Sequence, residues 1–291
     1  MKNVVRNNLR AQSGMTLIEL AVVMVILVGL AGLMLPYVAG FLGKTHNSTS
    51  VSTIADLNNT IQRYQTTKWT LPNKLETLVD SSGSIYNKLQ NTGMLTAISD
   101  ATANSSLAAA GVTLAYANYN GTSDATFQST TGSSQTLSST SPIALAKLTG
   151  TTASDTFYNS LPANLVTSDP VKNQLIYAFG GDATTYDTTC TNYIVMGIGS
   201  SNSMIPSAME SAPVHFSGTG AQATDIAYDR YSAVFAVPNG ATTGTNSVTG
   251  APCSSGLGNA ATFVGAVMIM PFPAIVGLNG AQEYANVHLN E

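Results

Sequence analysis

Residues 20 to 43 contain no charged side chain. As a helix, a run of 24 residues rises about 36 Å, more than the roughly 30 Å hydrocarbon core of a bilayer. No other stretch constrains the fold as strongly, because its apolar surface must be covered by lipid or by protein. Just before it stands Glu19, and further back come Lys2, Arg6 and Arg10 with no acid among them. A basic flank of this kind stays on the cytoplasmic side, so the bulk of the chain is expected to face outward.

Two ordinary accounts of the run leave something over. A secretory signal has an apolar core of about 7 to 15 residues and a small-residue cleavage site. This run is longer, and Tyr37-Val38-Ala39 makes a poor site. A single-pass anchor fits the length but gives Glu19 no role. A carboxylate in hydrocarbon costs several kcal/mol unless it reaches the interface or a partner. So close to the start of the run it can snorkel, and the anchor account stays open.

The stretch Gly14-Met15-Thr16-Leu17-Ile18-Glu19-Leu20, behind a basic leader and ahead of the apolar run, closely resembles the class III signal of type IV prepilins and type II secretion pseudopilins. The resemblance implies a leader of residues 1–14, cut after Gly14 by a prepilin peptidase, and methylation of the new amino terminus at Met15. It implies that Glu19 acts in assembly. Away from water, its carboxylate compensates the Met15 ammonium of a neighbouring subunit. Such a buried pair selects register more than it adds stability. Pro36 stands where many members carry a helix-kinking proline, and proline removes one helix hydrogen bond. Gly29, Gly32, Gly40 and Gly43 allow close helix approach. The implied partners are the chain itself in a helical filament, the prepilin peptidase, and the assembly platform and ATPase of a pilus or type II secretion system. The implied location is the inner membrane as a single-pass precursor, then a periplasmic or cell-surface filament.

The same resemblance implies a pilin-like α+β fold, with one long N-terminal helix packed on an antiparallel β-sheet head. Residues 15–43 would be the membrane and filament-core helix, 44–68 its amphipathic continuation and 69–291 the head. Independently, Val51, Ile54, Leu57, Ile61 and Tyr64 recur at three- and four-residue spacing, the mark of a helix with one buried face. Trp69, Leu71 and Pro72 should end it. Residues 71–80 read as a short helix with Pro72 in its first turn. Strands are expected at 173–179, 192–198 and 228–237. Residues 261–278 are charge-free, but Pro271 and Pro273 favour a buried strand and a turn over a second membrane span. Residues 101–160 read as a Ser/Thr-rich insertion, least ordered over 123–141. The layouts of 64–79, 168–181 and 191–202 are similar to the segments following the long helix in major pseudopilins. The Trp and Gly usual after Asp169-Pro170 are replaced by Val171-Lys172, and the turn 197–207 holds no acid, so calcium is not expected.

Charged residues make up 9% of the chain, against about 25% in ordinary soluble domains. Without the leader, 8 basic and 15 acidic side chains remain. That acidic balance argues against a nucleic-acid binder, which needs clustered Lys and Arg. The two cysteines, Cys190 and Cys253, are either separate buried thiols or a disulfide. Export, implied by the N-terminal resemblance, favours the bond, which would stabilise the fold by about 4 kcal/mol in the chain-entropy model. No catalytic set is legible. His46, His215 and His288 lack metal-ligand spacing. Residues 40–45 lack the first glycine of a phosphate loop, since position 38 is Val38, and in the stretch 197–202 Asn202 stands where a dinucleotide fingerprint needs its last glycine. Asp182 and Asp187 read as solvated loop acids. The expected chain is therefore not an enzyme and has no cofactor or metal. It is a filament subunit, with a secretion pseudopilin or a filament-borne adhesin as alternatives and a membrane-anchored enzyme as a more distant one.

Overall fold

The computed structural model describes residues 16–86, 89, 94–117, 132–149, 167–214, 231–269 and 275–277, with side chains for all of these except 35–48, 275 and 276. The chain divides into two units, residues 1–45 and 46–291. Helix α1 covers Leu17–Lys68. Its turns up to Met34 are apolar and exposed on every side. Pro36 falls within α1, which runs as helix on both sides of it.

In the second unit, α1 behaves as its periodicity predicts. Ile54, Leu57 and Ile61 are buried, and Val51 and Tyr64 pack beside them. Burial of each such aliphatic side chain is worth roughly 1.5–3 kcal/mol. The helix stops at Trp69, whose φ is 58°. That left-handed conformation at a bulky residue breaks the helical path.

The remaining elements are β1 (Leu75–Glu76), β2 (Leu95–Ile98), α2 (Ala101–Ala109), β3 (Leu114–Ala117), β4 (Ser133–Thr136), β5 (Leu145–Leu148), α3 (Pro170–Phe179), β6 (Thr191–Gly197), β7 (Tyr231–Pro238), β8 (Thr262–Ile269) and β9 (Ile275–Val276). Among the described residues the strands form one curled sheet in the order β4-β3-β1-β6-β7-β8-β9, with β5 also on β6 and β2 on β5. The architecture is mixed α+β. All pairs are antiparallel except β1 with β3, which is parallel.

Period-two alternation sorts the central strands between two core faces. Ile194 and Met196 of β6, Phe235 and Val237 of β7, and Met268 of β8 share the first cluster with Ile54, Leu57 and Ile61 of α1. Tyr193 and Val195, Val234, and Val267 share the second with Leu175 and Ala178 of α3. The backbone amide of Ala266 donates to Asn58 Oδ1 at 2.8 Å, which ties α1 to β8. The ladder between β7 and β8 shifts register between Val234 and Phe235. Beside that bulge lies Gly265, where an added Cβ would stand 2.4 Å from the Phe179 ring. Only glycine lets α3 sit this close to the sheet.

Three expectations change. Residues 173–179 are helix, not strand. Asp169 takes the N-cap, accepting from the amides of Val171 and Lys172, and Pro170 occupies the first turn, so the segment opens with a strong helix start. Residues 71–80 are not a helix. Lys74 and Leu78 have φ of 58° and 61°, and the segment runs extended through β1 with Leu75 to Val79 buried. Within 101–160, residues expected to be loop instead form α2, β3, β4 and β5. Ala103, Leu107, Val112, Ala115 and Leu145 belong to the core. By contrast, β6, β7 and β8 fall where strands were expected, and 262–269 is a strand buried over 265–269. Residues 228–230, at the start of one expected strand, and 270–274 and 278, within the expected element 261–278, lie outside the described residues.

Candidate functional site

The first site is the start of α1. Thr16 precedes the helix, and Glu19 lies in its first turn. The Thr16 amide donates to Glu19 Oε2 at 2.8 Å, and the Glu19 amide donates to Thr16 Oγ1 at 3.3 Å. This reciprocal pair is a capping box, which satisfies two amides that a helix start leaves without partners. The T-x-x-E spacing ahead of an apolar run was legible in the sequence, and the reading of Glu19 as an assembly charge passed over it. Both side chains are exposed. Gly14 and Met15 lie outside the described residues, so the proposed cleavage and methylation points are not placed.

Beyond the cap, Leu17–Met34 has a mean hydropathy of 2.7, and none of it is buried. Leu17 is 85% and Leu33 77% exposed. A Cβ at Gly29 or Gly32 would meet nothing within 4 Å. One helix among the described residues is therefore long and apolar enough to cross a membrane. A helix of this kind near the N-terminus serves as a membrane anchor or a signal sequence.

The second site lies in the head. Cys190 and Cys253 form a disulfide with Cα atoms 5.3 Å apart, as export led the sequence to suggest. Cys190 stands just before β6. Cys253 closes a hairpin of residues 244–253, in which Thr245 bridges Pro252 and Asn246 Oδ1 accepts from the amides of Val248 and Thr249. A cleft of about 280 Å³ beside the bond is lined by Thr191, Pro238, Asn246, Thr249 and Pro252 among others, and no charged side chain enters it.

Under the disulfide lies Asp187, which is not a solvated loop acid but only 5% exposed. Its carboxylate accepts from the Cys190 amide at 2.9 Å, Thr191 Oγ1 at 3.1 Å, the Ser247 amide at 2.8 Å and Ser247 Oγ at 3.1 Å. Burial pushes this carboxyl up, but hydrogen bonds from Ser247, Cys190 and Thr191 outweigh it and hold it below the usual carboxylate range. Its backbone carbonyl accepts from Tyr193 OH at 2.9 Å. Burial, with the Asp187 charge next, drives the Tyr193 phenol far up, and burial pushes Tyr186 up to about 12. Lys172 Nζ donates to Ser247 Oγ at 3.1 Å and to the Ala183 carbonyl at 3.3 Å, while Thr188 Oγ1 donates to Asp169 Oδ2. Nothing near Asp187 in sequence marked it as buried, because the loop that covers it lies 60 residues downstream. Asp182 is exposed and closes a local turn with Thr184 and Thr185.

Among the described residues no three His, Cys, Asp or Glu side chains gather to hold a metal ion. His215 and His288 lie outside the described residues, and the side chain of His46 is among those left undescribed. The turn after β6 is built from polar contacts, with Ser203 Oγ accepting from the Asn73 amide at 2.7 Å and bonded to Tyr64 OH at 3.0 Å. The two sites are chemically distinct: an uncovered apolar helix with one carboxylate at its start, and a covalently closed polar loop. Comparison of the chain with protein-family models, curated proteins and solved structures finds no match in any of the three.

Proposed function

We propose that the chain is the structural subunit of a type IV pilus or a pilus-like filament, processed after Gly14 and assembled through its N-terminal helix. The observation that carries this reading is the helix Leu17–Met34. It is apolar on all sides and covered on none, and it bears one carboxylate, Glu19, in its first turn. A free apolar cylinder needs lipid or other copies around it. The class III signal residues Gly14, Met15 and Glu19 say which: lipid in the precursor, neighbouring copies in the filament. A type II secretion pseudopilin uses the same segment in the same way, and a filament-borne adhesin differs only in what its head contacts.

A second reading has its own observation. The Thr16–Glu19 capping box gives Glu19 a role within its own helix, and this suits a plain membrane anchor. Two variants separate the readings. Gln also closes a capping box but carries no charge. In the filament reading Glu19→Gln and Glu19→Ala are both cleaved and inserted, and both are largely missing from filaments sheared off the cell. In the anchor reading Glu19→Gln behaves as the parent. Mass spectrometry of the N-terminal peptide supplies the other arm. A methylated Met15 start supports the filament reading, and a chain retaining residues 1–14 removes it.

A further inference from the structure

The turn 187–191 and the hairpin 244–253 are joined twice. The covalent join is Cys190–Cys253. The other is Asp187, three residues before Cys190. Its Oδ2 accepts from the Cys190 amide at 2.9 Å and its Oδ1 from the Ser247 amide at 2.8 Å. One carboxylate thus grips the backbone of the first cysteine and the strand-turn junction that leads to the second. The hairpin transmits this hold because it is internally bonded. The Asn246 amide donates to the Ala251 carbonyl at 2.8 Å, and the Cys253 amide donates to the Gly244 carbonyl at 3.0 Å. Fixing Ser247 therefore fixes Cys253. Neither contact requires the sulfur–sulfur bond.

We propose that Asp187 is a positioning residue for oxidation of the cysteine pair: in the dithiol chain it docks the hairpin through Ser247 and presents Cys253 to Cys190 before their bond exists. With glutathione disulfide as the oxidant, one cysteine thiolate attacks it, forming a mixed disulfide and releasing one glutathione thiolate. The other cysteine thiolate attacks the protein sulfur of that mixed disulfide, forming Cys190–Cys253 and releasing the second glutathione thiolate. The two protons lost by the cysteines pass to the two glutathione thiolates. The second attack is intramolecular, so its equilibrium reports the effective concentration of one thiol at the other. This inference does not depend on the filament reading.

The test equilibrates the whole chain, in detergent micelles, with buffers of reduced and oxidised glutathione. Alkylation traps the thiols, and mass gives the oxidised fraction. Asp187→Ala lowers the effective concentration of the pair about tenfold or more, as loss of hydrogen bonds to a charged acceptor implies. Ser247→Ala lowers it less, and adds little on top of Asp187→Ala. Asp182→Ala, in the exposed turn, changes nothing. A purely stabilising Asp187 would lower the melting of oxidised and dithiol forms alike and leave the glutathione equilibrium unmoved, and that result overturns the proposal. Should Asp187→Ala fail to fold, the Cys190→Ser/Cys253→Ser chain decides by hydrogen exchange. Protection of the Ser247 amide without the disulfide supports the proposal. Exchange at the rate of an open loop overturns it.

Discussion

Two apolar stretches of this chain meet opposite fates. Leu17–Met34 is exposed along its whole length, whereas the far half of β8, Gly265–Ile269, is buried. Hydropathy alone does not separate them. The strand is short, and its side chains alternate between two faces that other elements of the same chain cover. The helix is apolar around its full circumference, and among the described residues of its own unit no element covers it. The strand is completed by its own fold, and the helix must be completed from outside.

The comparison breaks hardest at Phe235, which is fully buried in the cluster that contains Ile54 and Ile61. Phe235→Ala should destabilise the head by about 3–5 kcal/mol, measured by denaturant unfolding. A head that unfolds at the parental midpoint would mean that this face does not carry the core. Next comes Val25→Asp, in the middle of the exposed helix. It should cost about 2.5–3.5 kcal/mol of membrane insertion, while leaving head unfolding unchanged. Loss of head stability in that variant would show that the two stretches are not independent. Asp169→Ala removes the cap of α3 and should cost the head about 1 kcal/mol, with no change in membrane partition.

The last effect comes from pH, and it too belongs to the head alone. The folded Tyr186 phenol titrates at about 12, raised from 10. Its neutral form is the one the fold prefers, so its contribution is complete below pH 10 and is lost as pH rises from there towards 12. Asp187 works in the other direction. Its folded carboxyl is lowered from 3.8, so its contribution is complete above that value and is lost as pH falls further. Thermal melts of the parent against Tyr186→Phe on the alkaline limb, and against Asp187→Asn on the acid limb, check both signs. The variants should flatten their own limb only.

How much of this the sequence revealed depended on whether a residue's environment is written close to it. The α1 stripe of Ile54, Leu57 and Ile61 is legible because one helix face repeats locally. The strands β6 and β7 are legible because β-branched and aromatic residues crowd a short run. The segment 173–179 deceived for that same reason. Leu175-Ile176-Tyr177-Ala178-Phe179 has strand-like composition, while the helix is set by Asp169 and Pro170 just upstream. The left-handed residues Lys74 and Leu78 are themselves neither glycine nor asparagine, so their residue types do not announce the conformation. Of the candidate site, Glu19 and the cysteines were visible as residue types. Asp187 was visible only as an acid, since its burial is made by Ser247 from a distant loop.

The position of the disulfide also sets how the chain responds to being pulled. Cys190 and Cys253 are separated by 63 residues, and the span between them includes β6 and β7, the centre of the sheet. Under tension applied at the two ends of the chain, those residues cannot contribute length. Fully extended they would add roughly 210 Å, and with the bond closed the load passes through two sulfur atoms instead. A stretched molecule would thus lengthen only through residues outside the covalent ring, α1 to α3 on one side and β8 and β9 on the other, while the two central strands stay slack inside it.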